Sequence, residues 1–218
     1  MRRYHLTHLE FCNEPDLWPG LSDPIAYAHW LWWTTQGARQ ANPTIKIAAA
    51  SEKGAEFFAP IYRDYLLTKP RVFDALSLHP YWPRSAADLT RVDALQAMLQ
   101  EYDDDRTEIW VTEFGWDSNT IDPTIHATGI AESMLELMAK PNVAVASLHQ
   151  LNDISSAAYA PLEAGPQAYG LIEDPVTTGS VRPKPAYAAF REVATRGGSV
   201  DISADMSVAD QPDDEPAG

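Results

Sequence analysis

This chain is short of cysteine, of basic residues and of long apolar runs. Its one cysteine, Cys12, excludes an internal disulfide and a cysteine-built zinc site. Lys and Arg number 16 against 31 Asp and Glu, a net charge of −15 over 218 residues. Such a surface repels nucleic acid and anionic membranes, and neither is expected as a partner. No apolar stretch approaches the roughly 20 residues that span a bilayer. Met1-Arg2-Arg3-Tyr4-His5 opens with charge but has no apolar h-region behind it, so no signal peptide is read there. Also missing are a phosphate-binding glycine loop, a Ser–His–Asp signature and a nucleotide fingerprint.

What the chain does contain is apolar residues (45%) and aromatics (10%, with seven Trp), enough for one good-sized core. Strand-like segments at 5–12, 44–50, 73–79, 107–113 and 143–151 start 29 to 39 residues apart, an interval that suits βα units. The middle ones are nearly continuous apolar runs, as in strands covered on both faces. Helices are expected between them at 24–40, 55–68, 86–102 and 123–138, with another at 185–195. Asp23-Pro24 supplies an N-cap and an N1 proline for the first. Trp30, Trp32 and Trp33 in that helix are read as packing residues. The pattern implies an α/β fold with a parallel sheet, open or closed into a barrel. Residues 1–196 are read as the folded part. Residues 197–218, rich in Asp, Ser and Pro and without periodicity, are read as a disordered acidic tail.

Two glutamates end strand-like segments and are followed by turn residues: Glu14 in Phe11-Cys12-Asn13-Glu14-Pro15, and Glu113 in Trp110-Val111-Thr112-Glu113-Phe114-Gly115-Trp116. In a parallel βα array, functional residues gather at the C-terminal ends of the strands. A pair of carboxylates so placed is what hydrolysis of a glycosidic bond needs. A separation of about 5–5.5 Å suits a retaining enzyme and about 6.5–9.5 Å an inverting one, a choice the sequence leaves open. Asn13 is of a type that bonds sugar hydroxyls. Trp18 and Trp82 follow strand ends, where an aromatic ring can serve as a sugar platform. His5 and His8 lack the His-x-His spacing of metal-dependent barrel hydrolases, so no metal and no other cofactor is expected. Asp103-Asp104-Asp105 reads as a solvated loop.

The segment His8-Leu9-Glu10-Phe11-Cys12-Asn13-Glu14-Pro15-Asp16-Leu17 resembles the strand-four Asn-Glu-Pro motif of clan A glycoside hydrolases, families 5 and 39 among them. Trp110 to Trp116 resembles their strand seven. Phe73-Asp74-Ala75-Leu76-Ser77-Leu78-His79-Pro80-Tyr81 resembles strand six, and Tyr169-Gly170-Leu171-Ile172 with Lys184-Pro185-Ala186-Tyr187 resembles the closing stretch. The resemblance implies a partial (β/α)8 TIM barrel made of strands four to eight. It implies a retaining hydrolase of β-linked poly- or oligosaccharides, with Glu14 as general acid/base and Glu113 as nucleophile. It places His79 at the sugar and Tyr81 on the nucleophile.

This chain departs from the motifs in two places. Cys12 stands where the family often has Trp. The strand-eight segment 143–151 has no Trp, so Trp116 or His149 is the substitute sugar platform. Read against the barrel, strands one to three are absent, which implies an N-terminally truncated chain, an inactive or sugar-binding remnant, or a second chain that supplies the missing strands. The full-length protein is expected to be secreted.

Overall fold

A computed structural model describes residues 6–66, 71–81, 88–119, 121–154 and 167–196. These fall into two compact units. The first holds the chain up to Phe114 together with Lys140–Leu148, and the second holds Gly115–Ala139 and the described residues from His149 on. The 197–218 tail and Trp82 lie outside the described residues.

The first unit is built on five parallel strands in sequence order: β1 (His8–Phe11), β2 (Lys46–Ser51), β3 (Ala75–Leu78), β4 (Glu108–Phe114) and β5 (Val143–Leu148). All five fall within the expected segments apart from one residue at the ends of β2 and β4. Side chains alternate between the two faces of a sheet. On one face Phe11 stacks against Tyr27 of helix α1 (Pro24–Ala41) with ring centroids 5.6 Å apart, and Tyr27 meets Phe57 of helix α2 (Ala55–Pro60). The other face buries Ala48, Ala75 and Trp110 as a small cluster. Beyond this cluster, towards the C-terminal ends of the strands, come Glu10, Ser77 and Thr112.

The helices follow local rules. Asp23 caps α1 by accepting hydrogen bonds from the N–H groups of Ile25 and Ala26, both at 2.8 Å, and Pro24 occupies N1. Its buried residues Tyr27, Ala28, Leu31, Thr35 and Ala38 lie on one arc of the helix. Trp30 and Trp33 fall outside that arc and are exposed, which corrects the reading of them as packing residues. The expected helix 55–68 changes form: α2 passes at Pro60 into a π-helical turn, Ile61–Tyr65. Proline has no N–H to continue the α pattern, and the Leu66 N–H instead reaches back to the Ile61 carbonyl at 2.9 Å. Helix α3 (Thr90–Glu101) buries Val92, Leu95, Met98 and Leu99 along one face.

Asp104 is not a solvated loop residue. Its Oδ2 accepts from the Tyr62 hydroxyl (2.7 Å) and the Thr107 hydroxyl (2.6 Å), and its Oδ1 accepts from Arg71 (3.0 Å). Burial pushes the Asp104 carboxyl pKa up, but these hydrogen bonds and the Arg71 charge outweigh burial and hold it below the ordinary value.

The second unit packs α4 (Pro123–Ala139) on α6 (Pro185–Arg196) and carries the short helix α5 (Pro175–Thr178). Lys184 joins Asp153 at 2.6 Å, and the Asp153 carboxylate also accepts from the Gly170 N–H at 2.8 Å. Gly170 approaches the Asn152–Asp153 backbone so closely that a Cβ would collide with it. Among the described residues, no helix is long and apolar enough to cross a membrane.

Candidate active site

Within the first unit, the turns after β1 and β3 and the end of β4 bring Glu14, His79 and Glu113 together. Two left-handed residues make the turn after β1: Cys12 at φ 67° and Glu14 at φ 46°, ψ 54°. A non-glycine residue in this region costs about 1–3 kcal/mol and persists only where its surroundings fix it. Here Pro15 opens a 3-10 turn (Pro15–Leu17), and the Leu17 N–H donates to the Glu14 carbonyl at 3.0 Å. The buried Asp16 carboxylate accepts from the N–H groups of Glu52 (2.9 Å) and Lys53 (2.8 Å), so the turns after β1 and β2 are tied together. The Tyr27 hydroxyl adds a second tie. It donates to the Phe11 carbonyl at 3.0 Å and accepts from the Ala50 N–H at 2.8 Å.

His79 follows β3, and its ring is only 3% exposed. Its Nδ1 lies 2.9 Å from Glu14 Oε1 and 3.8 Å from Glu113 Oε2. One ligand atom from each of these three residues lies within 4.8 Å of the others. The two carboxylates remain 26% and 29% exposed, so both stay open to a ligand. The Tyr81 hydroxyl donates to Glu113 Oε2 at 3.4 Å. Burial disfavours the charged form of His79. The hydrogen bond to Glu14 and the charges of Glu113, Glu14 and Glu10 outweigh burial and raise its pKa above the ordinary histidine value.

Among the described residues, Glu14, His79 and Glu113 are also the only group whose donor atoms could gather on a cation. The direct Nδ1···Oε1 bond between His79 and Glu14 occupies the Nδ1 position such an ion would need.

The structure thus brings together four of the residues singled out in the sequence: Glu14, His79, Tyr81 and Glu113. Asn13 is exposed on the same turn. Trp116 belongs to the second unit. There its indole N–H donates to the Ser133 hydroxyl at 3.1 Å, and its ring lies so close over Gly129 of α4 that a Cβ there would collide with it. His149, also in the second unit, faces Tyr169 with ring centroids 5.9 Å apart.

Three residues that the sequence reading passed over complete the site. Ser77 and Thr112 donate to the same Glu10 oxygen at 2.6 and 3.0 Å, and Thr112 Oγ1 is 3.0 Å from His79 Nε2. Alternation along β1 would have placed Glu10 on the face of Cys12 and Glu14, and along β3 Ser77 on that of His79.

No family model and no curated protein matches the chain. Solved structures do. The chain is similar to a family 39 glycoside hydrolase from the gut symbiont Bacteroides cellulosilyticus, with 20% identity, a TM-score of 0.67, and coverage of 87% of this chain and 41% of that one. It is similar to a GH2 beta-galacturonidase from Eisenbergiella tayi, with 14% identity, a TM-score of 0.58, and coverage of 85% and 32%. A GH128 oligosaccharide-binding protein from Trichoderma gamsii shares 16% identity at a TM-score of 0.56, over 90% of this chain and 73% of that one. The chain therefore spans about a third to two fifths of the first two proteins' length. At these identities the likeness is one of fold: five parallel strands with their helices, as in part of the TIM barrel of clan A glycoside hydrolases.

Proposed function

We propose that this chain carries the catalytic pair of a retaining glycoside hydrolase acting on β-linked poly- or oligosaccharides. One observation carries the reading: Glu14 and Glu113, at the C-terminal ends of parallel strands, bring carboxylate oxygens within 4.8 Å of each other with His79 alongside. Carboxylate oxygens that approach so closely favour the roughly 5–5.5 Å carboxyl spacing of a double-displacement enzyme over the roughly 6.5–9.5 Å that leaves room for a water.

In the first step a Glu113 oxygen bonds to the anomeric carbon. The bond from that carbon to the leaving oxygen breaks, and Glu14 gives its proton to that oxygen. In the second step Glu14 takes a proton from water, the hydroxide oxygen bonds to the anomeric carbon, and the ester electrons return to Glu113. Tyr81 steadies the Glu113 carboxylate through its hydroxyl. Asn13 contacts the sugar, His79 backs the pair through its bond to Glu14, and Trp82 is the aromatic candidate for stacking the sugar.

Glu113→Gln tests the assignment. It is expected to abolish turnover of an aryl β-glycoside without loss of folding, and a mechanism-based covalent glycoside inhibitor is expected to label Glu113. Unchanged turnover, or label on another residue, refutes it. The second reading, oligosaccharide binding without turnover, takes its support from the fold shared with the GH128 oligosaccharide-binding protein. It predicts saturable binding of an oligosaccharide by calorimetry with no reducing ends released.

A further inference from the structure

Glu10 takes no part in the two-glutamate chemistry, yet its carboxylate anchors the hydrogen bonds beneath it. The protons can be counted. A carboxylate only accepts, and each hydroxyl has one hydrogen to give. Glu10 Oε1 takes the hydrogen of Ser77 (2.6 Å), which leaves the Ser77 oxygen only lone pairs, so the Thr112 hydrogen goes to that oxygen (2.7 Å) or to Glu10 itself (3.0 Å). Thr112 Oγ1 then presents only lone pairs to His79 Nε2, 3.0 Å away, so Nε2 carries a hydrogen. With Nε2 protonated, Nδ1 and Glu14 Oε1, 2.9 Å apart, hold one proton between them. It resides either on Glu14 as an acid or on Nδ1 beside an ionised Glu14. Among the described residues, the titratable groups facing the ring are Glu10 and Glu14 from β1 and its turn and Glu113 from β4, with Tyr81 reaching it through Glu113.

We infer that Glu10, acting through the Thr112 hydroxyl, is a positioning residue that fixes the Nε2–H form of His79 and so keeps a proton shared between His79 Nδ1 and Glu14. The use of that proton rests on the glycosidase reading above, while the tautomer does not. When the leaving oxygen takes the proton, the electron pair of the broken glycosidic bond passes to that oxygen. His79 is left neutral with a bare Nδ1 facing the Glu14 carboxylate. Two lone pairs then oppose each other. This favours return of a proton, and the attacking water supplies it in the second step.

Glu10→Gln tests the inference, because an amide can donate as well as accept and no longer obliges Thr112 to give its hydrogen away. The first readout is ¹⁵N NMR of histidine-labelled protein, with the His79 signals assigned by their loss in His79→Gln. Native protein is expected to show a protonated Nε2. Glu10→Gln is expected to move that nitrogen towards the bare-nitrogen range, and Thr112→Ser, which keeps the hydroxyl, is expected to leave it in place. A bare Nε2 in native protein, or an Nε2 indifferent to Glu10→Gln, overturns the inference.

The second readout is kinetic. Glu10→Gln is expected to lower kcat/KM by about tenfold or more for an alkyl β-glycoside, whose leaving group needs a proton, and by less than about twofold for a dinitrophenyl β-glycoside, which does not. Equal losses on both substrates would mean a merely structural role and overturn the inference. If native protein turns over neither substrate, the glycosidase reading fails and the ¹⁵N result alone decides the tautomer.

Discussion

Thr112 and Glu113 are consecutive in β4, yet both reach the His79 ring, Thr112 at 3.0 Å from Nε2 and Glu113 at 3.8 Å from Nδ1. A regular pleat would send neighbours to opposite faces. The pairing of β4 with β5 shifts register between Val111 and Phe114, and this irregularity re-aims Glu113. The strand thereby delivers a half-buried hydroxyl and a partly exposed carboxylate from adjacent positions.

If Glu14 is the acid, Glu14→Ala should lower kcat/KM for poor leaving groups by about 10²–10⁴-fold. Dinitrophenyl glycosides should form the glycosyl-enzyme nearly as before, and added azide should restore turnover by attacking it. Steady-state kinetics with and without azide check this. No azide effect, with equal losses on all leaving groups, would remove Glu14 from the role.

Tyr81→Phe deletes the hydroxyl that donates to Glu113 Oε2 at 3.4 Å. The expected outcome is slower covalent labelling of Glu113, by about five- to tenfold if one net hydrogen bond of about 1 kcal/mol is lost. The urea midpoint should change little, since both groups reach solvent. An unchanged labelling rate counts against the orienting role.

Asp104→Asn should destabilise the first unit by about 1–3 kcal/mol, because the Tyr62 and Thr107 hydroxyls and Arg71 lose a charged acceptor. The folded carboxyl is held below its ordinary value, so its contribution is present above the unfolded pKa of about 3.9 and is lost as pH falls through the lower folded value. Urea unfolding at neutral pH and in acid checks this, and the gap between variant and native protein should narrow in acid.

For His79 the sign is reversed. Its folded pKa is raised, so the stability it adds is complete below its unfolded value of about 6.5 and disappears as pH rises through the folded value. The cost of His79→Gln should therefore be larger at about pH 6 than at about pH 9. A cost that does not vary with pH refutes the link.

Gly115→Ala should destabilise the second unit by about 2–4 kcal/mol, since a Cβ there would collide with the His149 carbonyl oxygen. Thermal unfolding checks it.

The order of elements and the two glutamates were legible in the sequence because they rest on local signals. Prolines at 15, 24 and 123 mark element starts, and apolar runs mark buried strands. The network under His79 was not. Glu10, Ser77 and Thr112 are isolated polar residues in apolar strands, and only the register of three strands shows that they meet. Asp104 was hidden in the same way, because its partners Tyr62 and Arg71 come from other segments. Trp30 and Trp33 were misread although the helical wheel held the answer: the arc through Tyr27, Leu31 and Ala38 leaves both outside it.

Asp16 holds the Glu14 turn from behind, through the backbone of Glu52 and Lys53 rather than through the segment that follows it. Residues 18–22 beyond it, with exposed Trp18 at their head, carry none of that anchorage. They are therefore a natural place to graft sequences of other lengths. The length and sequence of that stretch can be varied while the Glu14 carboxylate keeps its aim.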